Sequence, residues 1–382
     1  MNRYAAGLSL HPTPVEAVGE VAGEILERLE GDPPDLLVCF ASVHHVGAFE
    51  DIANGLRKLL EPKVFAGCTA VSVAGGAREI ERAPALSVFA ASFSTGTAKA
   101  FVLESVDAPD GTSIVGWPDD VAASGTLLML ADPFSFPIPD FLRLVNARVP
   151  ALTVVGGLAS AAAGPGGNRL VCNDELTTRG AVAVMLSGDV PVRPVVSQGC
   201  RPIGLPYTVT RAERNLVYEL GGQPAMQRLQ ELVLAADDDE RELMRRGLHV
   251  GLVVDEHRLD FGRGDFLVRN LLGADQRTGA LAVGDVVDVG QTVQFHVRDA
   301  EAADEDLRVL LDRVDGDAAL LFTCNGRGTH MFSVPDHDAA LVEQRLGPVP
   351  LAGAFCAGEI GPVGGRNFLH GFTASLAVFG RE

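Results

Sequence analysis

The sequence predicts an α/β fold in which repeated strand-helix-strand units form mixed sheets covered by helices, divided between two domains. Three observations indicate this. Apolar runs of strand length alternate with amphipathic stretches of helical period, the same order of elements occurs three times, and a glycine-containing loop follows the second strand of each unit. The 382 residues are enough for two hydrophobic cores.

The first unit opens with an amphipathic helix over residues 14–30, which has a proline near its start. A buried strand is predicted at Leu36–Phe40, and a second helix over about residues 48–60. The next strand begins at Lys63–Ala66 and runs into a loop of small residues, and a further strand at Ala85–Phe93 completes the unit. Strands and helices therefore alternate, as in βαβ units.

The same order of elements occurs twice more. In the second copy the strand Thr126–Leu130 precedes a helix over residues 138–146, and in the third the strand Ala318–Phe322 precedes a helix over residues 339–346. The second strands of the three copies read EPKVFAGCTA, VPALTVVGGLA and VPLAGAFCAGE. Because open α/β sheets bind ligands where strands end in loops, each copy presents a candidate site.

A change of pattern near residue 220 predicts domains of residues 1–220 and 221–382. Beyond it, a helix is predicted over residues 223–236, and the acidic run DDDERE at residues 237–242 is expected on a solvated face or in a loop. The stretch GQTVQFHVR at residues 290–298 alternates as a half-buried strand does.

The charge balance excludes polyanionic partners. Thirty-one basic and 50 acidic side chains give a net charge of −19, which repels nucleic acid and an anionic membrane surface. No stretch reaches the roughly 18 apolar residues of a membrane span, and the N-terminus lacks the pattern of a signal peptide. We therefore expect a cytoplasmic protein that binds neither nucleic acid nor membrane.

The six cysteines are far apart and form no CxxC pair. This spacing predicts reduced thiols in the cytoplasm, without a disulfide framework or a structural zinc site. The sequence also lacks an HExxH motif and a Walker or Rossmann fingerprint. We expect no metal and no cofactor.

The stretch LLFTCNGRGTHMF at Leu320–Phe332 predicts the floor of a pocket. Arg327 lies between Gly326 and Gly328, so its guanidinium fork is expected to bind a ligand carboxylate. Glu359, in the loop AGEIGPVGG, would accept hydrogen bonds from the ligand's amino group. Replacing Arg327 by alanine should then abolish binding and leave folding intact. The structural alternatives are a solvated arginine in a turn and a carboxylate that caps backbone N–H groups.

Further candidates lie at other strand ends. Arg269 follows the apolar run FLV and offers a second cation, with the alternative that it pairs with an acidic neighbour such as Asp265. The predicted ligand-binding set is Cys324, Asn325, Gly326, Arg327, Gly328, Cys356, Gly358, Glu359, Arg269, Gly67 and Cys68.

Two functions of other classes remain open. In a thiol-dependent enzyme acting on amides or esters of amino-acid-like substrates, Cys324 or Cys356 would be the nucleophile and His330 the base. This chemistry requires a base within hydrogen-bond reach and a lowered thiol pKa, whereas buried structural cysteines are common. In an interaction scaffold the repeats would only form surface.

Seven stretches in order along the chain resemble one family. They are GCTAVSVAGG at 67–76, VVGGLAS at 154–160, QGCRPIG at 198–204, GDFLVRNLLG at 264–273, VGQTVQFHVRDA at 289–300, CNGRG at 324–328 and GEIGPVGG at 358–365. Together they resemble the FIST family, in which a FIST N part precedes a FIST C part in bacterial and other signalling proteins.

The resemblance implies a sensory domain that binds a small polar metabolite, such as an amino acid or its derivative, and passes the signal to a downstream partner. It implies no catalytic residue set, and the matching positions serve only as pocket candidates. The identity of the signalling partner and the oligomeric state do not follow from it.

Overall fold

A computed structural model of the chain describes residues 2–108, 111–119, 122, 124–258 and 260–380. The chain forms two compact units. The first comprises Met1–Val196, Leu307–Leu369 and Thr373–Glu382, and the second comprises Ser197–Asp306 and His370–Phe372. The predicted α/β fold of repeated strand-helix-strand units in mixed sheets is confirmed.

The first repeat builds one sheet of the first unit. Its elements are β1 (Arg3–Ser9), α1 (Pro14–Arg28), β2 (Leu36–Ser42), α2 (Phe49–Leu60), β3 (Val64–Ala70), β4 (Val73–Gly75), β5 (Arg78–Ile80) and β6 (Leu86–Ser92). Strands β2 and β3 pair in parallel, as a βαβ crossover requires, and β6 and then β1 continue the sheet antiparallel on the other side of β2.

The second repeat has the same order of strands. Its elements are β7 (Thr97–Ala108), β8 (Gly111–Val115), β9 (Gly125–Ala131), α3 (Ile138–Arg148), β10 (Leu152–Leu158), β11 (Leu170–Cys172), β12 (Glu175–Thr177) and β13 (Ala181–Ser187). Strands β9 and β10 pair in parallel around α3, and β13 and then β7 lie antiparallel beyond β9.

The third repeat begins with β14 (Val192–Gln198) and is then interrupted by the second unit. The elements of that unit are β15 (Cys200–Glu213), β16 (Leu216–Leu220), β17 (Gln223–Pro224), α4 (Ala225–Ala235), α5 (Asp238–Arg246), β18 (Leu248–Val253), β19 (Phe266–Asp275), β20 (Ala280–Val283) and β21 (Thr292–Arg298). The strands form one sheet in the order β15-β21-β18-β19-β20-β16-β17. The acidic run DDDERE falls largely in α5, which has no buried residue, so its predicted solvated position is confirmed.

The third repeat then resumes. Its remaining elements are α6 (Ala300–Leu311), β22 (Ala318–Cys324), α7 (His337–Leu346), β23 (Leu351–Cys356), β24 (Glu359–Val363), β25 (Arg366–His370) and β26 (Thr373–Phe379). Short 3-10 helices span Val43–Ala48, Arg263–Asp265 and Gly328–His330. Strands β22 and β23 pair in parallel around α7, and β26 and then β14 continue the sheet beyond β22.

Each repeat passes one hairpin to the sheet of another repeat. Strand β4 pairs with β23, so hairpin β4–β5 extends the third sheet. Strand β11 pairs with β3, so hairpin β11–β12 extends the first, and β24 pairs with β10, which places β24 and β25 on the second. The exchange closes into a ring of three, which ties the ends of the parallel strands together.

Both faces of these sheets are buried. The inner faces share one apolar core, to which the three repeats contribute Phe40, Leu130 and Phe322, for example. The outer faces pack separately, under α1 and α2, under α3, and under α6 and α7. This explains why β2, β3 and β22 read as continuous apolar runs rather than alternating ones.

The compact units do not follow the sequential segments 1–220 and 221–382. The chain leaves the first unit at Ser197 and returns to it at Leu307, because the second unit is inserted between the first strand and the remainder of the third repeat.

In the described part of the chain, no helix combines the length and apolar character that crossing a membrane demands.

Candidate functional site

The candidate site begins where β22 and β23 end side by side. Cys324 and Cys356 are register partners on these strands. The chain then turns sharply: the backbone N–H of Asn325 donates to the Cys356 carbonyl at 2.9 Å, and that of Arg327 donates to the Cys324 carbonyl at 2.9 Å. The Gly326 N–H donates to the Cys324 thiol sulfur at 3.4 Å. This turn brings the side chain of Arg327 into the interior.

Arg327 is fully buried and forms a two-point ion pair with Asp338 on α7. Its Nε and Nη2 donate to the two carboxylate oxygens, each at 2.7 Å, and its guanidinium carbon lies 5.2 Å from the centre of the Phe332 ring. The hydroxyl of Thr323 donates to the same carboxylate at 2.7 Å. A ligand carboxylate would therefore reach these two donors only by displacing Asp338.

The ion pair fixes the charge of Asp338. Burial by itself would raise the pKa of this carboxyl, but the Arg327 guanidinium outweighs burial and holds the pKa well below its usual range. His337 adds to the effect, since its Nδ1 lies 2.9 Å from Asp338 Oδ1. Asp338 is thus an anion at every physiological pH.

Glu79, in hairpin β4–β5, lies beside Arg327 and Asp338 and forms with them a cluster of buried charged groups. Its Oε1 accepts hydrogen bonds from the backbone N–H groups of Asp338 at 3.0 Å and Ala339 at 3.1 Å, which caps the start of α7. Its Oε2 is buried without a hydrogen-bond partner. Burial and the neighbouring Asp338 raise the pKa of Glu79 to about 8.

Glu359, at the start of β24, is fully buried. Its Oε2 accepts from the hydroxyl of Thr373 at 2.8 Å and from the Thr373 N–H at 3.2 Å. Burial raises its pKa to about 8, although Thr373, Arg327 and the Cys324 thiol act in the opposite direction. The thiol is therefore close, yet Oε1 has no hydrogen bond of ordinary geometry. At neutral pH this carboxyl is mostly protonated.

Three of the predicted thiols lie near one another. Burial raises the pKa of Cys356 well above its ordinary value, and Glu359, Cys68 and Cys324 raise it further. Burial also raises the pKa of Cys68 to about 12. His330 is exposed, and no hydrogen bond between its ring and a thiol is present among the described residues. Because thiols in such surroundings stay protonated, the geometry does not favour nucleophilic catalysis.

The remaining predicted residues have structural positions. Gly328 has a φ of +55°, and a Cβ atom there would lie 2.7 Å from Glu81 Oε1. The Gly358 carbonyl accepts from the Leu158 N–H at 2.9 Å, and a Cβ atom on Gly67 would lie 2.6 Å from a backbone oxygen. Arg269 belongs to the second unit, where its Nε donates to Asp285 at 2.7 Å instead of to Asp265.

The sequence therefore identified one part of the cluster and missed another. The structure brings together Arg327, Glu359 and the cysteines at positions 68, 324 and 356. Sequence reasoning missed Asp338 and Glu79. A local signal for Asp338 existed, because PDHDAA places acidic residues at the start of a predicted helix. Glu79 carries no such signal, since its partners lie more than 250 residues further along the chain.

Fold and site together define an α/β repeat protein with a buried carboxyl–guanidinium cluster at the strand ends of one repeat and a second unit inserted in that repeat. Two family models cover most of the chain: the FIST N domain matches residues 35–223, and the FIST C domain matches residues 225–362. The chain belongs to the FIST family. FIST domains are associated with sensory signal transduction.

Relatives of similar length occur in mycobacteria. The uncharacterized protein Rv0628c of Mycobacterium tuberculosis is 46% identical over 383 residues, which covers 99% of each chain. The uncharacterized protein Mb0898c of Mycobacterium bovis is 45% identical over 383 residues, covering 99% of this chain and 98% of the relative. Their names state no activity or ligand.

Proposed function

We propose that this chain is a sensory protein whose buried cluster binds a small metabolite carrying an ammonium group, such as an amino acid or its derivative. The observation that carries the proposal is the unpartnered Oε1 of Glu359 at full burial. Buried polar groups in native proteins nearly always have a partner, so an exception at a strand end in a signalling family suggests a ligand position.

The charges of the cluster favour a cationic ligand group. Glu79, Asp338 and Glu359 surround the guanidinium of Arg327, whose Nε and Nη2 are held by Asp338. Carboxyl groups are thus in excess, and the two glutamates keep their protons to avoid burying further negative charge. An ammonium group offers three donors and the charge that would allow Glu359 to ionise.

The carboxylate end of an amino acid has a less direct partner. Arg327 remains the candidate for it, in competition with Asp338. The proposal therefore depends first on the ammonium group, and ligands that separate the two ends distinguish their roles. Amino acids, their decarboxylated amines and the matching carboxylates without an amino group form such a series.

Calorimetry with this series tests the proposal. At pH 7, below the Glu359 pKa of about 8, binding of an ammonium group should release up to one proton, seen as a dependence of the measured heat on the buffer's ionisation enthalpy. At least one amino acid or amine should bind, and Glu359→Gln should weaken it at least tenfold and remove the proton release. The control Glu343→Gln, on an exposed face of α7, should change neither.

Two results would overturn the proposal: failure of every amino acid and amine in the series to bind, or unchanged affinity and proton release in Glu359→Gln. Native mass spectrometry of the protein purified from cells adds an independent measurement, because a co-purifying metabolite with an amino group is the expected result.

A further inference from the structure

The second unit contains a row of polar side chains across three neighbouring strands. His249 on β18 is the register partner of His296 on β21 and of Asn270 on β19. Register partners on antiparallel strands project from the same face, so the two imidazoles lie side by side. Val250 and Phe295, the next residues along their strands, project from the opposite face into the apolar core of this unit.

The two histidines of this row are buried, whereas Asn270 at its end is exposed, and several hydrogen-bonding atoms at the histidines have no partner. His249 is 5% exposed and His296 is fully buried. Neither ring nitrogen of His249 has a hydrogen-bond partner of ordinary geometry, although Asn270 is near, and the same holds for His296 Nε2 and Arg298 Nε. Of the unpartnered buried side-chain atoms found in the described residues, half belong to this unit. Such a concentration is uncommon in a native protein unless something binds there.

The hydrogen positions on His296 follow from its contacts. Its Nδ1 lies 3.0 Å from the carbonyl oxygen of Gln294, which can only accept, so Nδ1 carries the hydrogen and Nε2 is an acceptor without a donor. Burial lowers the pKa of His296 to about 4. Burial, together with the charge of Arg298, lowers the pKa of His249 to about 4. Both imidazoles are therefore neutral at physiological pH.

Two of the unpartnered nitrogens converge on one point. His249 Nε2 and Arg298 Nε would each lie 3.3 Å from a Cβ atom on Gly247, so both nitrogens border the position that this glycine leaves without a side chain. Arg298 has no carboxylate within ion-pair distance among the described residues. Its Nη2 donates to the Arg246 carbonyl at 2.7 Å, which holds the guanidinium in place while Nε faces inward.

An aromatic ring supports this arrangement. The Phe372 ring lies 4.6 Å from the His249 ring and 5.2 Å from the Arg298 guanidinium carbon. Phe372 has a φ of +61°, which is uncommon for a bulky residue and is held only where surrounding structure requires it. The Phe372 ring therefore packs against both the Arg298 guanidinium and the His249 imidazole and limits their movement. Backbone strain in such a place is often associated with a binding function.

We propose that the second unit binds a small carboxylate that bears a hydroxyl group, at His249, Arg298 and His296. The carboxylate accepts hydrogen bonds from Arg298 Nε–H and from His249 in the tautomer protonated at Nε2. The ligand hydroxyl donates to His296 Nε2. Guanidinium and imidazole donors are a common pair for a carboxylate, and the neutral acceptor beside them provides the selectivity for a hydroxyl. This site is separate from the cluster of the first unit, and it attracts the opposite charge.

Three pairs of ligands test the proposal by calorimetry on the full chain: glycolate and acetate, lactate and propionate, and malate and succinate. Each pair differs by one hydroxyl group. In at least one pair the hydroxylated member should bind at least tenfold more tightly. Arg298→Met should weaken both members at least tenfold. Arg277→Met, at an exposed turn of the same unit, should change neither and serves as the matched control.

His296→Phe should remove the preference for the hydroxyl and keep the binding of the other member. Because this buried substitution can affect folding, ¹⁵N NMR of the histidine side chains in the unaltered protein provides a second measurement. The hydroxylated ligand should shift the resonance of an unprotonated imidazole nitrogen, whereas the ligand without the hydroxyl should not. Equal affinity within all pairs, unchanged binding in Arg298→Met, or no shift at saturating ligand would overturn the proposal and leave water as the occupant.

Discussion

Arg327 and Asp338 form a buried ion pair whose removal should affect folding, contrary to the expectation from sequence. Arg327→Met leaves the Asp338 carboxylate at full burial without its guanidinium, and breaking such pairs costs about 3–5 kcal/mol. The urea midpoint should fall accordingly. Ligand binding by this variant therefore has to be measured on protein first shown to be folded.

The double variant Arg327→Met with Asp338→Asn separates charge from packing. If the uncompensated carboxylate causes the loss, removing it should restore more than half of the lost stability, because apolar or neutral replacements of buried pairs are often tolerated. A double variant as unstable as Arg327→Met would show that lost packing dominates instead.

The two glutamates of the cluster predict a specific dependence of stability on pH. Their pKa values are raised from 4.5 to about 8 in the folded protein, so their contribution to stability is complete below pH 4.5 and is lost as the pH rises towards 8. At about 1.4 kcal/mol per unit of pKa difference, the loss is on the order of a few kcal/mol for each group. Urea denaturation at several pH values from 4.5 to 9 measures it.

Glu359→Gln should lose less stability than the unaltered protein over this range, and a variant that also carries Glu79→Gln should lose less still. Asp338 affects the stability only at lower pH, because its pKa is lowered in the folded protein and its contribution is lost as the pH falls. A pH profile of Glu359→Gln that parallels the unaltered protein would contradict a raised pKa at that residue.

At the scale of elements, the βαβ units were predictable and their exchange of hairpins was not. Apolar runs such as Leu36–Phe40 and Ala318–Phe322 fall within β2 and β22, because strands buried on both faces leave a continuous apolar pattern. The three-residue strands β4, β5, β11 and β12 are too short for a period, and their partners lie in other repeats. Arg327 and Glu359 were found because they follow long strands, and Glu79 was missed because it lies in such a hairpin.

Asn367 on β25 holds the hairpin of the third repeat against β10. Its Oδ1 accepts from the Val154 N–H and its Nδ2 donates to the Leu152 carbonyl, each at 2.8 Å, so the side chain replaces a strand at this edge. Asn367→Ala leaves both backbone groups unpaired and should cost about 2–4 kcal/mol. Asn54→Ala, on an exposed face of α2, should stay within about 0.5 kcal/mol.

Hydrogen exchange identifies the origin of that loss. The Val154 amide should exchange faster in Asn367→Ala, whereas amides in the first sheet should keep their protection under native conditions. Unchanged protection at Val154 would show that the side-chain hydrogen bonds do not hold this edge.

At the scale of the whole molecule, the second unit is an insertion with its own core. All members of that core lie between Ile203 and Val297, and the other four cores belong to the first unit. The sequence shows no linker at the junctions, and its pattern change near residue 220 lies inside this unit and marks neither end of the insertion. The two ends of the insertion are adjacent, since the Asp299 N–H donates to the Gly199 carbonyl at 3.2 Å. Insertions with adjacent ends and separate cores are commonly able to fold alone.

This arrangement predicts that residues 200–298 can be replaced by a linker of about four Gly and Ser residues, because the ends it must join are already hydrogen-bonded to each other. The shortened chain should unfold cooperatively in urea, with a smaller m-value in proportion to the surface it no longer buries. It should also keep the stability loss between pH 4.5 and 8, because Glu79 and Glu359 both remain. A matched excision of residues 125–187 removes strands β9 to β13 and should abolish the cooperative transition. If the first excision abolished it as well, the first unit would depend on the inserted unit for its fold.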